Sequence, residues 1–134
     1  LTTVRRETMN VTSCSLSTSN SLWDLQALID TIGYDTDLIN TLTSLFVDDS
    51  RQRINLLERA LSEGDLDVVR KEAHTLKGSA SNIRAPRARE AAARLEITAR
   101  QGNCLDCRQR LRELKEELAD LYEGFKTILC QLAA

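Results

Sequence analysis

Between residue 22 and the C-terminus, apolar side chains return every three or four positions, the period of one helix face, and no stretch alternates as a half-buried strand would. Punctuation residues divide this pattern into five helices. The first, about residues 22 to 32, opens at Ser21-Leu22-Trp23-Asp24, a capping-box-like start, and stops at Gly33. The second begins near Asp35, carries Leu38, Leu42, Leu45, Phe46, Leu57 and Leu61, and ends before Gly64. Asp65 caps the third, whose buried stripe is Leu66, Val69, Ala73, Leu76 and Ala80. The fourth starts at Pro86, a residue suited to a first helical turn, shows Ala88, Ala92, Leu95 and Ala99, and ends at Gly102. The last runs from about residue 106 into the C-terminus, with Leu111, Leu114, Leu118, Leu121, Phe125, Ile128 and Leu132 in an unbroken 3-4 repeat.

Four long amphipathic helices with short connections predict an all-α antiparallel four-helix bundle, the short additional N-terminal helix capping one end. Composition agrees, because 42% hydrophobic and 28% charged residues with a single proline suit long helices better than a sandwich or barrel. At 134 residues the chain is large enough for one core and too short for two. The boundary falls near residue 21. From Asn10 to Ser21 nine of twelve residues are Ser, Thr or Asn, too polar to fold alone, so residues 1–20 read as a linker and 21–134 as the bundle. That linker and the first residue, Leu1, suggest the C-terminal piece of a longer protein. No apolar run reaches the roughly 18 residues of a membrane span, so the domain is expected to be cytoplasmic, even if the parent chain is anchored.

Candidate chemistry centres on the only histidine, His74, in Glu72-Ala73-His74-Thr75-Leu76-Lys77-Gly78-Ser79. At about 100° per residue His74 falls roughly 130° from the centre of the buried stripe and points outward, with Arg70, Lys77, Gly78 and Ser81 around it. A neutral imidazole is a nucleophile near neutral pH. Lys77 at i+3 supplies a cation and Gly78 at i+4 an open approach, both on the imidazole's side of the helix. A mid-helix glycine costs about 1 kcal/mol relative to alanine, and close approach of another molecule is a reason to bear it. These are the requirements for accepting a phosphoryl group from a macromolecular partner.

The run Ala73 to Ser79, A-H-T-L-K-G-S, resembles the signature of histidine-containing phosphotransfer (HPt) domains, which pass phosphoryl groups in two-component phosphorelays. The resemblance extends from about Trp23 to about Leu129 and includes Phe46, Gly64-Asp65 and Leu95-Glu96. It implies that His74 is the phosphoacceptor, that Lys77 lies near the phosphoryl oxygens, and that Gly78 admits a response regulator receiver domain. It also implies reversible exchange with a receiver aspartate, no cofactor on this chain and magnesium on the receiver; together with the Ser/Thr-rich N-terminal linker it favours a C-terminal position in a hybrid sensor kinase. The isolated domain is expected to be a monomer. Two other readings are a helical docking module that carries no phosphate, and the head of a chemotaxis-type kinase loaded by an ATP-binding domain. One position departs from the family pattern: a glycine in a run like N-L-G-A is replaced in Asn82-Ile83-Arg84-Ala85, and arginine resists positive φ.

Other chemistries find less support. Residues 84 to 112 contain eight arginines, but these are spread over two helices and a loop, aromatics are 4%, and no groove-entering motif accompanies them, so no nucleic-acid partner is expected. Cys104 and Cys107 form a C-x-x-C pair at the junction before the last helix, where a helix N-terminus could lower a thiol pKa. A zinc site would need further ligands, and Cys14, Cys130 and His74 are distant in sequence. No phosphate-cradling glycine loop is present, so the chain is not expected to phosphorylate itself from ATP.

Overall fold

A computed structural model describes residues 21–133, and within them the chain forms five helices and no strand. These are α1 (Leu25–Ile32), α2 (Thr36–Glu63), α3 (Leu66–Asn82), α4 (Pro86–Arg100) and α5 (Cys104–Ala133). The polar segment 1–20 lies outside the described residues.

The boundaries follow local chemistry. Asp24, Asp35 and Asp65 each accept a hydrogen bond from the backbone N–H three residues on, satisfying donors that a helix start leaves open. Asn103 does the same for Asp106, so α5 begins at Cys104 rather than near 106 and takes both cysteines into its first turn. Gly64 ends α2 in the left-handed region, at φ 72°. The first helix starts at Leu25, not at the capping-box-like Ser21. Residues 23 and 24 are already engaged: the Trp23 indole Nε1 donates to Ile83 O at 2.8 Å, and Asp24 N–H donates to Arg84 O at 2.7 Å.

Helices α2 to α5 close into a four-membered ring in which α3 packs on α4, α4 on α5, α5 on α2 and α2 on α3. Their apolar stripes meet in one core, with Ile39, Leu57, Val69, Leu76, Leu95, Leu114, Leu118 and Leu121 fully buried. Trp23 docks the N-terminal segment on this core, edge-on to Phe125 at 4.6 Å between centroids, and Phe125 in turn meets Phe46 edge-on at 6.1 Å. Gly124 faces Leu22, whose Cδ2 lies 3.0 Å from where a Cβ would be, so this glycine makes room for the segment leading into α1. Leu38 and Leu45, part of the α2 repeat, are 37% and 60% exposed, because the stripe of α2 is wider than the surface its neighbours cover.

The α3–α4 connection resolves the departure at Arg84. Ala85 N–H donates to Ala80 O and Arg84 N–H to Ser81 O, the paired bonds of a Schellman cap. That motif requires a left-handed residue at position 84, and Arg84 adopts φ 66°. The loop keeps a glycine-type conformation without glycine, at a cost of about 1–2 kcal/mol.

Candidate functional site

His74 stands at the middle of α3 with its side chain 63% exposed, on the face turned outward and toward α4. Its stripe neighbours Ala73 and Leu76 are fully buried, so the backbone that carries it is fixed by the core. From α4, Glu96 reaches the imidazole: Oε2 lies 2.9 Å from Nδ1. A carboxylate is acceptor-only when ionised, so Nδ1 is the donor, and in the neutral tautomer this selects, Nε2 keeps its lone pair on the opposite edge of the ring.

Glu96 is the residue that the sequence reading left without a role. It is 4% exposed, the only charged residue buried among the described residues, and three donors surround it. Besides His74, Arg100 Nη2 approaches the same Oε2 at 3.1 Å. Lys77 Nζ faces Oε1 at 2.8 Å, without a well-aligned hydrogen bond, so this contact is chiefly an ion pair. Burial pushes the Glu96 carboxyl up, but the Lys77 ammonium and the His74 N–H beside it outweigh burial and hold it below the usual carboxylate range. A signal for it exists in the chain. Position 96 follows Leu95 and shares a face with Ala92 and Ala99, so an acid there is directed into the α3–α4 seam and needs cationic partners.

Lys77 is thus brought to the imidazole through Glu96 and not by direct contact, its side chain 32% exposed. Gly78 is exposed, and a Cβ added to it meets nothing within 4 Å, so the space one turn beyond His74 is open. Beyond Gly78, Leu42, Leu45, Phe46, Asp49, Ser79, Asn82 and Ile83 line a shallow groove between α2 and α3. Arg53 bridges those two helices, pairing with Asp49 at 2.9 Å and Glu72 at 2.7 Å.

The sequence model of the Hpt domain matches residues 41–124, a span that contains His74, Lys77, Gly78 and Glu96. The chain belongs to the Hpt domain family. Solved structures agree. Histidine-containing phosphotransfer protein B (HptB) of Pseudomonas aeruginosa PAO1 superposes with a TM-score of 0.77 at 28% identity, covering 84% of this chain and 97% of HptB. A histidine-containing phosphotransfer protein from rice gives 0.68 at 26% identity, covering 87% of both chains. The maize protein ZmHP2, at 22% identity and a TM-score of 0.73 over 91% of this chain and 90% of its own, shares the fold. No curated protein sequence matches the chain. Membership of the Hpt family carries a role in histidine phosphotransfer, a process in which such domains meet receiver domains.

Among the described residues the cysteines do not gather into one site; Cys14 lies outside them. Cys107 is fully buried, Cys104 half-buried and Cys130 exposed, and no cluster of three metal-ligating side chains occurs among the described residues. Burial, with the charges of Cys104 and Asp106, pushes the Cys107 thiol up, so the helix start does not activate it. No described helix is long and apolar enough to cross a membrane.

Proposed function

We propose that His74 takes a phosphoryl group from the aspartate of a receiver domain and passes it to a response regulator receiver. The observation that carries this reading is the Glu96–His74 hydrogen bond, which occupies Nδ1 and so, in the neutral ring, makes Nε2 the free nucleophile on a side chain that is largely exposed. In the transfer, the Nε2 lone pair forms the N–P bond as the aspartyl O–P bond breaks, and the carboxylate leaves with the bonding pair. The ring becomes a phosphoimidazolium, still protonated at Nδ1, and Glu96 offsets the positive charge it gains. No proton needs to move at the attacking atom. Lys77 stands close enough to turn from Glu96 toward the phosphoryl oxygens. The protein's contribution is a fixed ring orientation and a prepared field, which suits phosphoryl transfer, where positioning and charge do most of the work.

The open space at Gly78 and the exposed Leu45 in the groove between α2 and α3 favour a receiver approaching over those two helices. Magnesium would belong to that receiver. The experiment is to incubate the protein with receivers carrying labelled aspartyl phosphate and follow the label. Acid-labile, alkali-stable label on the wild type, absent from His74→Gln, is the expected result. Receiver binding without any label on the domain would favour a docking module instead.

A further inference from the structure

The charge around His74 exceeds what Glu96 and Lys77 supply, and the excess comes from the last turn of α4. With a neutral imidazole, the buried carboxylate of Glu96 faces two cations, Lys77 and Arg100, so the cluster carries one net positive charge. A phosphoryl dianion on a ring that becomes cationic would bring that sum to zero. With Lys77 alone the phosphorylated cluster would be left negative. We infer that Arg100 is a second phosphoryl-binding cation, holding Glu96 with one guanidinium nitrogen and offering another to the phosphoryl oxygens on His74; this rests on His74 being the phosphoacceptor.

Geometry supports the assignment over a purely structural pairing. His74 Nδ1 and Arg100 Nη2 share one oxygen, Glu96 Oε2, at 2.9 and 3.1 Å, so the two nitrogens are at most 6.0 Å apart. Lys77 reaches the imidazole only across both oxygens of the carboxylate. The Arg100 side chain is 61% exposed and makes no other ion pair among the described residues, so most of its planar fork of donors faces water beside the imidazole. The exposed guanidinium is free to swing from Glu96 toward phosphoryl oxygens carried on Nε2.

The test uses phosphoramidate, a small phosphoryl donor, to load the whole domain, and reads the phosphoryl titration by phosphorus NMR as a function of pH. A nearby cation favours the dianion and lowers the titration midpoint. Arg100→Gln keeps a donor for Glu96 but removes the charge; Arg100→Lys keeps the charge. The midpoint is expected to rise by about half a pH unit in Arg100→Gln and to return most of the way in Arg100→Lys. Transfer back to a receiver is expected to be favoured roughly fivefold more in the glutamine variant. A wild-type midpoint in Arg100→Gln, with His74 still labelled, overturns the role of Arg100 and leaves His74 in place. Failure of the wild type to label at His74, measured against His74→Gln, overturns the phosphoacceptor reading as well.

Discussion

Glu96, buried in the α3–α4 seam, holds Nδ1 of His74 at 2.9 Å, while the ring itself stays 63% exposed. Replacing Glu96 with alanine removes the acceptor that fixes the tautomer and leaves Lys77 and Arg100 without their common partner. Phosphoryl acceptance from a phosphorylated receiver is expected to slow by about tenfold or more. Acceptance at the wild-type rate, with the fold intact by circular dichroism, would remove Glu96 from the mechanism.

The same carboxyl links stability to pH. Its folded pKa lies below the ordinary carboxylate value, so its contribution is complete above that value and is lost as pH falls through the folded pKa. Denaturant midpoints are therefore expected to drop on acidification below about pH 4.3. Asp67 and Glu113, lowered by Arg70 and Arg110 respectively, act in the same direction, so Glu96→Gln should flatten this dependence without abolishing it. An acid profile identical to that of the wild type would contradict the coupling.

Gly78 separates stability from transfer. Its Cβ position is open, and glutamine gains about half a kcal/mol or more in helix propensity, so Gly78→Gln is expected to melt at or above the wild-type temperature. Transfer from a receiver should fall strongly, while labelling by phosphoramidate, which needs far less room, should be nearly unchanged. Equal loss with both donors would mean that the substitution disturbs His74 itself and not the docking of a partner.

Arg84 bears the strain of the Schellman cap at φ 66°. Arg84→Gly is expected to raise stability by about 1 kcal/mol, reduced somewhat by loss of the exposed hydrogen bond from Arg84 to Thr31. Chemical denaturation measures it directly. A destabilised variant would show that the Thr31 contact outweighs the backbone strain.

The cysteines differ in what they tolerate. Cys104→Ser should be close to neutral, whereas Cys107→Ser places a hydroxyl in a fully buried position and is expected to cost about 1–3 kcal/mol unless it finds a partner. Both variants should still exchange phosphate. Stoichiometric zinc in the native protein would revive a metal role for the pair.

Much of this protein is legible in the chain because the deciding forces act within a turn or two. Apolar period, aspartate caps, Pro86 and the glycines at 33, 64 and 102 fix five helices, and the wheel of α3 turns His74 outward, since rotation about a helix axis follows from backbone geometry alone. What the chain alone could not decide depends on how separate helices meet. Trp23 and Asp24 are drawn from the start of α1 by Ile83 and Arg84, about sixty residues away. Leu45 stays in solvent because, among the described residues, no neighbour covers that side of α2, and Cys107 turns inward because α5 starts early. Above all, the partner of His74 is set by the registry of α3 against α4, which brings position 96 level with position 74. A helix's own periodicity fixes which way a side chain points, but only the packing of two helices fixes what it finds there.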